Sequence, residues 1–75
     1  MEQTLEQARV GSSLRVTGLA GSAAHCQRLR EMGFCEEARV EKVAQHHLLV
    51  CTVCGTRLAV DRGTARGIMV AALPD

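Results

Sequence analysis

The sequence predicts a mainly β domain with one short inserted helix, arranged as a small closed barrel of about five strands. Three observations predict it. Residues 14–17, 38–43, 48–53, 57–61 and 68–71 each carry strand patterning, either alternating apolar with polar or apolar on both faces. One segment carries a helical recurrence, with Cys26, Leu29 and Met32 spaced by three and a stop at Gly33. The chain has 75 residues, 47% of them apolar. That suffices for one thin core, and closing the sheet on itself removes edges that so short a chain would leave unpaired.

In chain order, Thr4 caps a short turn through Leu5, Gln7 and Ala8, and Val10-Gly11-Ser12-Ser13 makes another turn. The first strand, Leu14-Arg15-Val16-Thr17, turns Leu14 and Val16 inward and is broken by Gly18 to Gly21. Ser22 is the N-cap of a helix over residues 23–32, whose Cys26, Leu29 and Met32 face covers one end of the barrel. Gly33 ends the helix in the left-handed conformation, and Phe34, the single aromatic residue, makes the contact just beyond it. The second strand, residues 38–43, slips phase after Glu41 and so predicts a bulge or bend. Gln45-His46-His47 connects it to residues 48–53, apolar on both faces and therefore either the most buried strand or one that wraps around the barrel. Cys54-Gly55-Thr56 is a tight hairpin turn with Gly55 supplying the positive φ. The next strand, residues 57–61, places Leu58 and Val60 inward. Residues 62–67 form a single helical turn and residues 68–71 the last strand.

Charge and composition exclude several functions. Nine Lys plus Arg against eight Asp plus Glu leave a net charge of +1, which opposes binding to nucleic acid through a basic field. Trp and Tyr are absent, so there is no platform for stacking bases. The polar start Met1-Glu2-Gln3-Thr4 does not read as a signal peptide, and no apolar run approaches the ~20 residues of a membrane span. These features predict a cytoplasmic protein without direct membrane insertion, carrying four reduced cysteines. No cofactor is expected.

Cys51-Thr52-Val53-Cys54-Gly55, with His46 and His47 upstream, has half the ligand pattern of a zinc knuckle. Against it, positions i and i+3 of a strand face opposite ways, and Cys51 also reads as a small core residue. His25 and Cys26 are adjacent, but helix neighbours point about 100° apart, a poor dyad. No nucleophile, base and orienting group assemble, so no catalytic residue is assigned and the chain does not read as an enzyme. Cys26 belongs to the core and Cys35 to the surface. Arg28, Arg30 and Glu31 lie on the outer side of the helix and form the candidate contact with an acidic partner surface. Arg57, Arg62 and Arg66 make a second basic area with Asp61 among them. A homodimer through an exposed Leu48 or Leu49 stays open.

These elements, taken in order, resemble the FeoA family. The matching residues are Leu5 with Gly11, Leu14-Arg15-Val16, Arg28-Leu29-x-x-Met32-Gly33-Phe34 and Ala38-x-Val40. They continue in Val53-x-Gly55-Thr56-x-Leu58-Ala59-Val60 and Ala65-x-x-Ile68-x-Val70. The resemblance spans residues 5–70 and implies an SH3-like barrel across a single domain, residues 1–75. A related barrel forms the C-terminal domain of iron-dependent repressors. The resemblance further implies a non-enzymatic accessory role in ferrous iron uptake, acting on the cytoplasmic region of FeoB, a membrane iron transporter with a G-protein domain. The alternative is a small metal-binding or metal-sensing protein using Cys51, Cys54 and a histidine. Three features depart from the family: Cys35-Glu36-Glu37 replaces the usual Pro-Gly pair, which implies a turn made differently, the Gln45-His46-His47 connection is short, and the four cysteines lie outside the pattern.

Overall fold

Strand pairing and one helix place most core residues of the chain, which a computed structural model describes over residues 2–74. The elements are β1 (Glu2–Thr4), β2 (Ser13–Leu19), α1 (Ala23–Met32), β3 (Arg39–Gln45), β4 (Leu48–Val53), β5 (Thr56–Asp61), α2 (Arg62–Ala65) and β6 (Ile68–Ala72). All pairings are antiparallel, in the spatial order β1-β6-β2-β3-β4-β5. The chain is therefore mainly β with a short inserted helix, as its patterning predicts, but with six strands rather than five among the described residues. The extra strand, Glu-Gln-Thr, has no apolar alternation to betray it. Only its ladder with β6 makes it a strand. The ladder also leaves β1 and β5 as two ends instead of closing fully.

The inward positions of each strand meet in one core. Leu14 and Val16 of β2, Val40 of β3, and Leu49, Cys51 and Val53 of β4 are buried, as are Val60 of β5 and Ile68 and Val70 of β6. Leu58 is only half-buried. Gly18 does not end β2, which runs to Leu19 with Thr17 as the extra residue of a bulge against β6. In β3 the irregularity falls at Val43, between the Lys42 and Ala44 pairings, rather than directly after Glu41. The alternation of β3 carries Lys42 inward and Val43 outward, with Val43 the extra residue of the bulge.

Lys42 is the one charged side chain buried among the described residues. Its ammonium donates to the backbone carbonyls of Glu6 at 2.8 Å and Ala8 at 2.6 Å. Its own backbone pairs with Gly11 and Ser12. It thus pins the turn over residues 5–12, which Thr4 and Gln7 also close through reciprocal side-chain to backbone hydrogen bonds.

Helix α1 matches its predicted bounds because both ends are chemically specified. The Ser22 hydroxyl accepts the His25 amide at 3.1 Å. At the other end, Gly33 sits at φ 112°. The Phe34 amide donates to Leu29 O and the Gly33 amide to Arg30 O, each at 3.0 Å. That double closure is a Schellman motif, and its usual apolar partners, Leu29 and Phe34, are both buried.

Candidate partner-binding cleft beside the first helix

Helix α1 rests on the sheet through Cys26 and Leu29, while Met32, expected on the same buried face, is 37% exposed. Three-residue spacing advances about 300° around a helix, so a third residue in such a series drifts off the face centre. The drift carries Met32 to the flank shared with His25 and Arg28. This flank faces Leu48 at the start of β4, Ala59 to Asp61 at the end of β5, and Thr64 of α2, enclosing a cleft of about 360 Å³. Leu29 and Val60 form its buried floor. Met32 and Leu48, the latter 51% exposed, are its apolar lips.

The cleft's polar rim is unequal in its commitments. Asp61 is the N-cap of α2, its carboxylate accepting the Thr64 amide at 2.6 Å. That hydrogen bond holds its carboxyl below the usual range. Arg28 has no carboxylate within ion-pair distance among the described residues. The rim therefore offers one free cation beside exposed apolar surface.

Of the predicted contact trio, Arg28, Arg30 and Glu31 are all exposed, but only Arg28 lines the cleft. Arg30 is two residues on, about 200° around the axis, and so lies on the opposite flank. Of the second basic area, Arg62 and Arg66 both engage Glu6, at 3.3 and 3.1 Å, rather than Asp61. The Arg66 hydrogen bond is the main reason the Glu6 carboxyl titrates low. Sequence reasoning missed this bridge because its partners are 56 and 60 residues apart. It also missed Lys42, whose place in the β3 alternation was the available signal.

The cysteine and histidine readings separate in space. Cys51 is buried, and desolvation raises its thiol to about 11, whereas Cys54 is exposed in the hairpin turn. His46 and His47 stand at the far end of β4, roughly 20 Å from Cys54 at ~3.3 Å per residue. One ion cannot be reached from both ends of the strand, which removes the set of Cys51, Cys54 and a histidine as a site within one chain. Among the described residues, no three His, Cys, Asp or Glu side chains gather to hold a metal ion. Of the two dimer candidates, Leu49 is core and Leu48 is at the surface. No helix among the described residues is long and apolar enough to cross a membrane.

No curated protein matches this chain's sequence significantly. A crystal structure of an iron uptake regulatory protein, FeoA, superposes with a TM-score of 0.91 at 26% identity, covering 97% of this chain and 99% of that one. FeoA of Stenotrophomonas maltophilia complexed with zinc, described as a prokaryotic SH3-domain protein, gives 0.81 at 28% identity, covering 92% and 89%. A manganese-dependent transcriptional repressor shares the fold alone, with a TM-score of 0.87 at 14% identity, 96% of this chain matching 42% of that one. The FeoA domain model matches residues 3–72, nearly the whole SH3-like barrel, and the chain belongs to the FeoA family, which is associated with ferrous iron transport.

Proposed function

We propose that this chain is a non-enzymatic, cytoplasmic accessory protein of ferrous iron uptake, acting as a single FeoA-like domain. It works by binding the cytoplasmic region of a FeoB-like, G-protein-coupled membrane iron transporter. The observation that carries the reading is the FeoA-domain match over residues 3–72. The cleft beside α1 supports the mode of action. Exposed Met32 and Leu48 next to the unpaired Arg28 suit a partner segment that presents an apolar side chain beside a carboxylate. Glu31, one turn on from Arg28 along the same helix, extends the contact at its margin, whereas Arg30, on the opposite flank, lies outside it. The near-neutral charge and the engagement of Arg62 and Arg66 by Glu6 weigh against nucleic acid as the partner. Leu48 is the residue on which a homodimer would compete for the same surface.

The test is retention of the purified chain, at micromolar concentration, on the immobilised cytoplasmic region of such a transporter in its nucleotide-free, GDP and GTP-analogue states. Binding in at least one state is expected. No retention in any state overturns the reading.

A further inference from the structure

Two of the four cysteines are buried, and the other two each approach a carbonyl at the C-terminal end of α1. Cys26 and Cys51 are buried, whereas Cys35 and Cys54 are exposed. The exposed pair is 19 residues apart in sequence but converges on the last carbonyls of the helix. The Cys35 thiol lies 3.6 Å from Arg30 O, and its amide donates to Gly33 O at 2.9 Å. The Cys54 thiol approaches that same Gly33 oxygen at 3.9 Å. A second relation places Cys54 independently: a Cβ built on Gly33 would lie 3.8 Å from its sulfur.

Local structure does not call for either thiol. Cys54 and Gly55 are the central residues of a two-residue hairpin, with φ 51° and 79°. Turn chemistry favours Asn, Asp or Gly at the first of these positions. Cys35 opens the turn that leads into β3, where its side chain packs against nothing in the core. Both residues sit in connections, which adjust more readily than ladder positions do.

We propose that Cys35 and Cys54 form a dithiol that closes to an intramolecular disulfide, tying the α1–β3 turn to the β4–β5 hairpin. The oxidant is a low-molecular-weight disulfide. One protein thiolate attacks it, forming a mixed disulfide and releasing one small thiol. The second protein thiolate then attacks the protein sulfur of that adduct, the protein disulfide forms, and the second small thiol leaves. Two protein thiols are oxidised, one small disulfide is reduced, and the two protons go to the departing thiolates. Closure requires the Cys35 side chain to leave Arg30 O and the two Cα atoms to come within ~7 Å. The buried thiols are shielded from the oxidant, Cys51 fully and Cys26 almost so.

The experiment is incubation of the full chain with glutathione disulfide, followed by intact mass and peptide mapping. The expected product is monomeric, lacks two hydrogens, joins the Cys35 and Cys54 peptides, and melts higher than the reduced chain until dithiothreitol is added. In Cys35→Ser the adduct on Cys54 persists unresolved, and in Cys54→Ser the adduct on Cys35 does. Stable glutathione adducts on both cysteines of the unmodified chain, or a bond formed only between two chains, overturns the proposal.

Discussion

Replacing Lys42 by Met tests whether the buried ammonium is a necessary part of the fold. The substitution keeps an unbranched side chain of similar length inside the barrel but removes the donor to Glu6 O and Ala8 O. Two effects oppose each other. Burial depresses the Lys42 pKa below its ordinary value, with the nearby Glu6 charge partly restoring it. Met escapes that desolvation cost, and well-packed apolar replacements of buried charges are often neutral or stabilising. The carbonyls, however, remain. Ala8 O is buried and Glu6 O partly so, and an unsatisfied buried acceptor costs about 1–3 kcal/mol. Water can reach Glu6 O more easily than Ala8 O, and relief of the ammonium's desolvation offsets part of the rest, so the net loss is about 1–3 kcal/mol. A domain of this size has roughly 4–11 kcal/mol in total, so the variant loses a large share of its stability. Far-UV circular dichroism in urea is the assay, because the chain has no Trp or Tyr to report by fluorescence. Unchanged or increased stability for Lys42→Met would refute the reasoning, since the carbonyls would then be satisfied without the amine.

Two further predictions follow from single residues. Glu37 holds φ 72° at the third position of a turn closed by the Ala38 amide on Cys35 O, a type II geometry that favours Gly there. Glu37→Gly should therefore raise stability by about 0.5–1 kcal/mol, after allowing for the lost exposed ion pair with Arg15 and for greater freedom of the unfolded chain. A lower melting temperature would count against this. Alkaline pH should separate two buried groups. Cys51 titrates at about 11 folded against 9.0 ordinarily, so between those values the folded state binds more protons and stability falls as pH rises, by about 2–3 kcal/mol in all. Lys42 acts in the opposite sense just below its ordinary 10.5, because there the unfolded state binds more protons. Denaturant melts of Cys51→Ala across this range should lose the falling limb and keep the Lys42 rise. A wild-type fall that persists in Cys51→Ala would assign the titration elsewhere.

The parts of the fold legible in the sequence were those whose chemistry is local. Ser22 and Gly33 mark both ends of α1 because a hydroxyl cap and a left-handed terminator need particular residues. Cys54-Gly55 marks the hairpin for the same reason. β1 was illegible because a three-residue polar strand exists only through its β6 partner. The Glu6 bridge to Arg62 and Arg66 depends on contacts between opposite ends of the chain. The turn at Cys35-Glu36-Glu37 was expected to depart from what a Pro-Gly pair makes. It keeps that geometry, because the pairing of Glu37 and Ala38 with Val16 holds the backbone in place. The candidate site was half legible. Arg28 was singled out by exposure and charge, but the cleft beside it is made by Leu48, Val60 and Thr64, which only the topology brings to the helix.

Capture of a transporter segment by the cleft beside α1 is tested most directly by the Kd for the cytoplasmic region of a FeoB-like protein, measured for paired substitutions in that cleft. Met32→Gln with Leu48→Gln removes both apolar lips with little change in size. Gln also avoids placing a carboxylate opposite Asp61, the cross-strand partner of Leu48. The predicted result is a Kd at least tenfold weaker, about 1.4 kcal/mol, with the circular dichroism spectrum unchanged and with Arg39→Ala, remote from the cleft, binding as wild type. A folded double variant that binds with the wild-type Kd would contradict it.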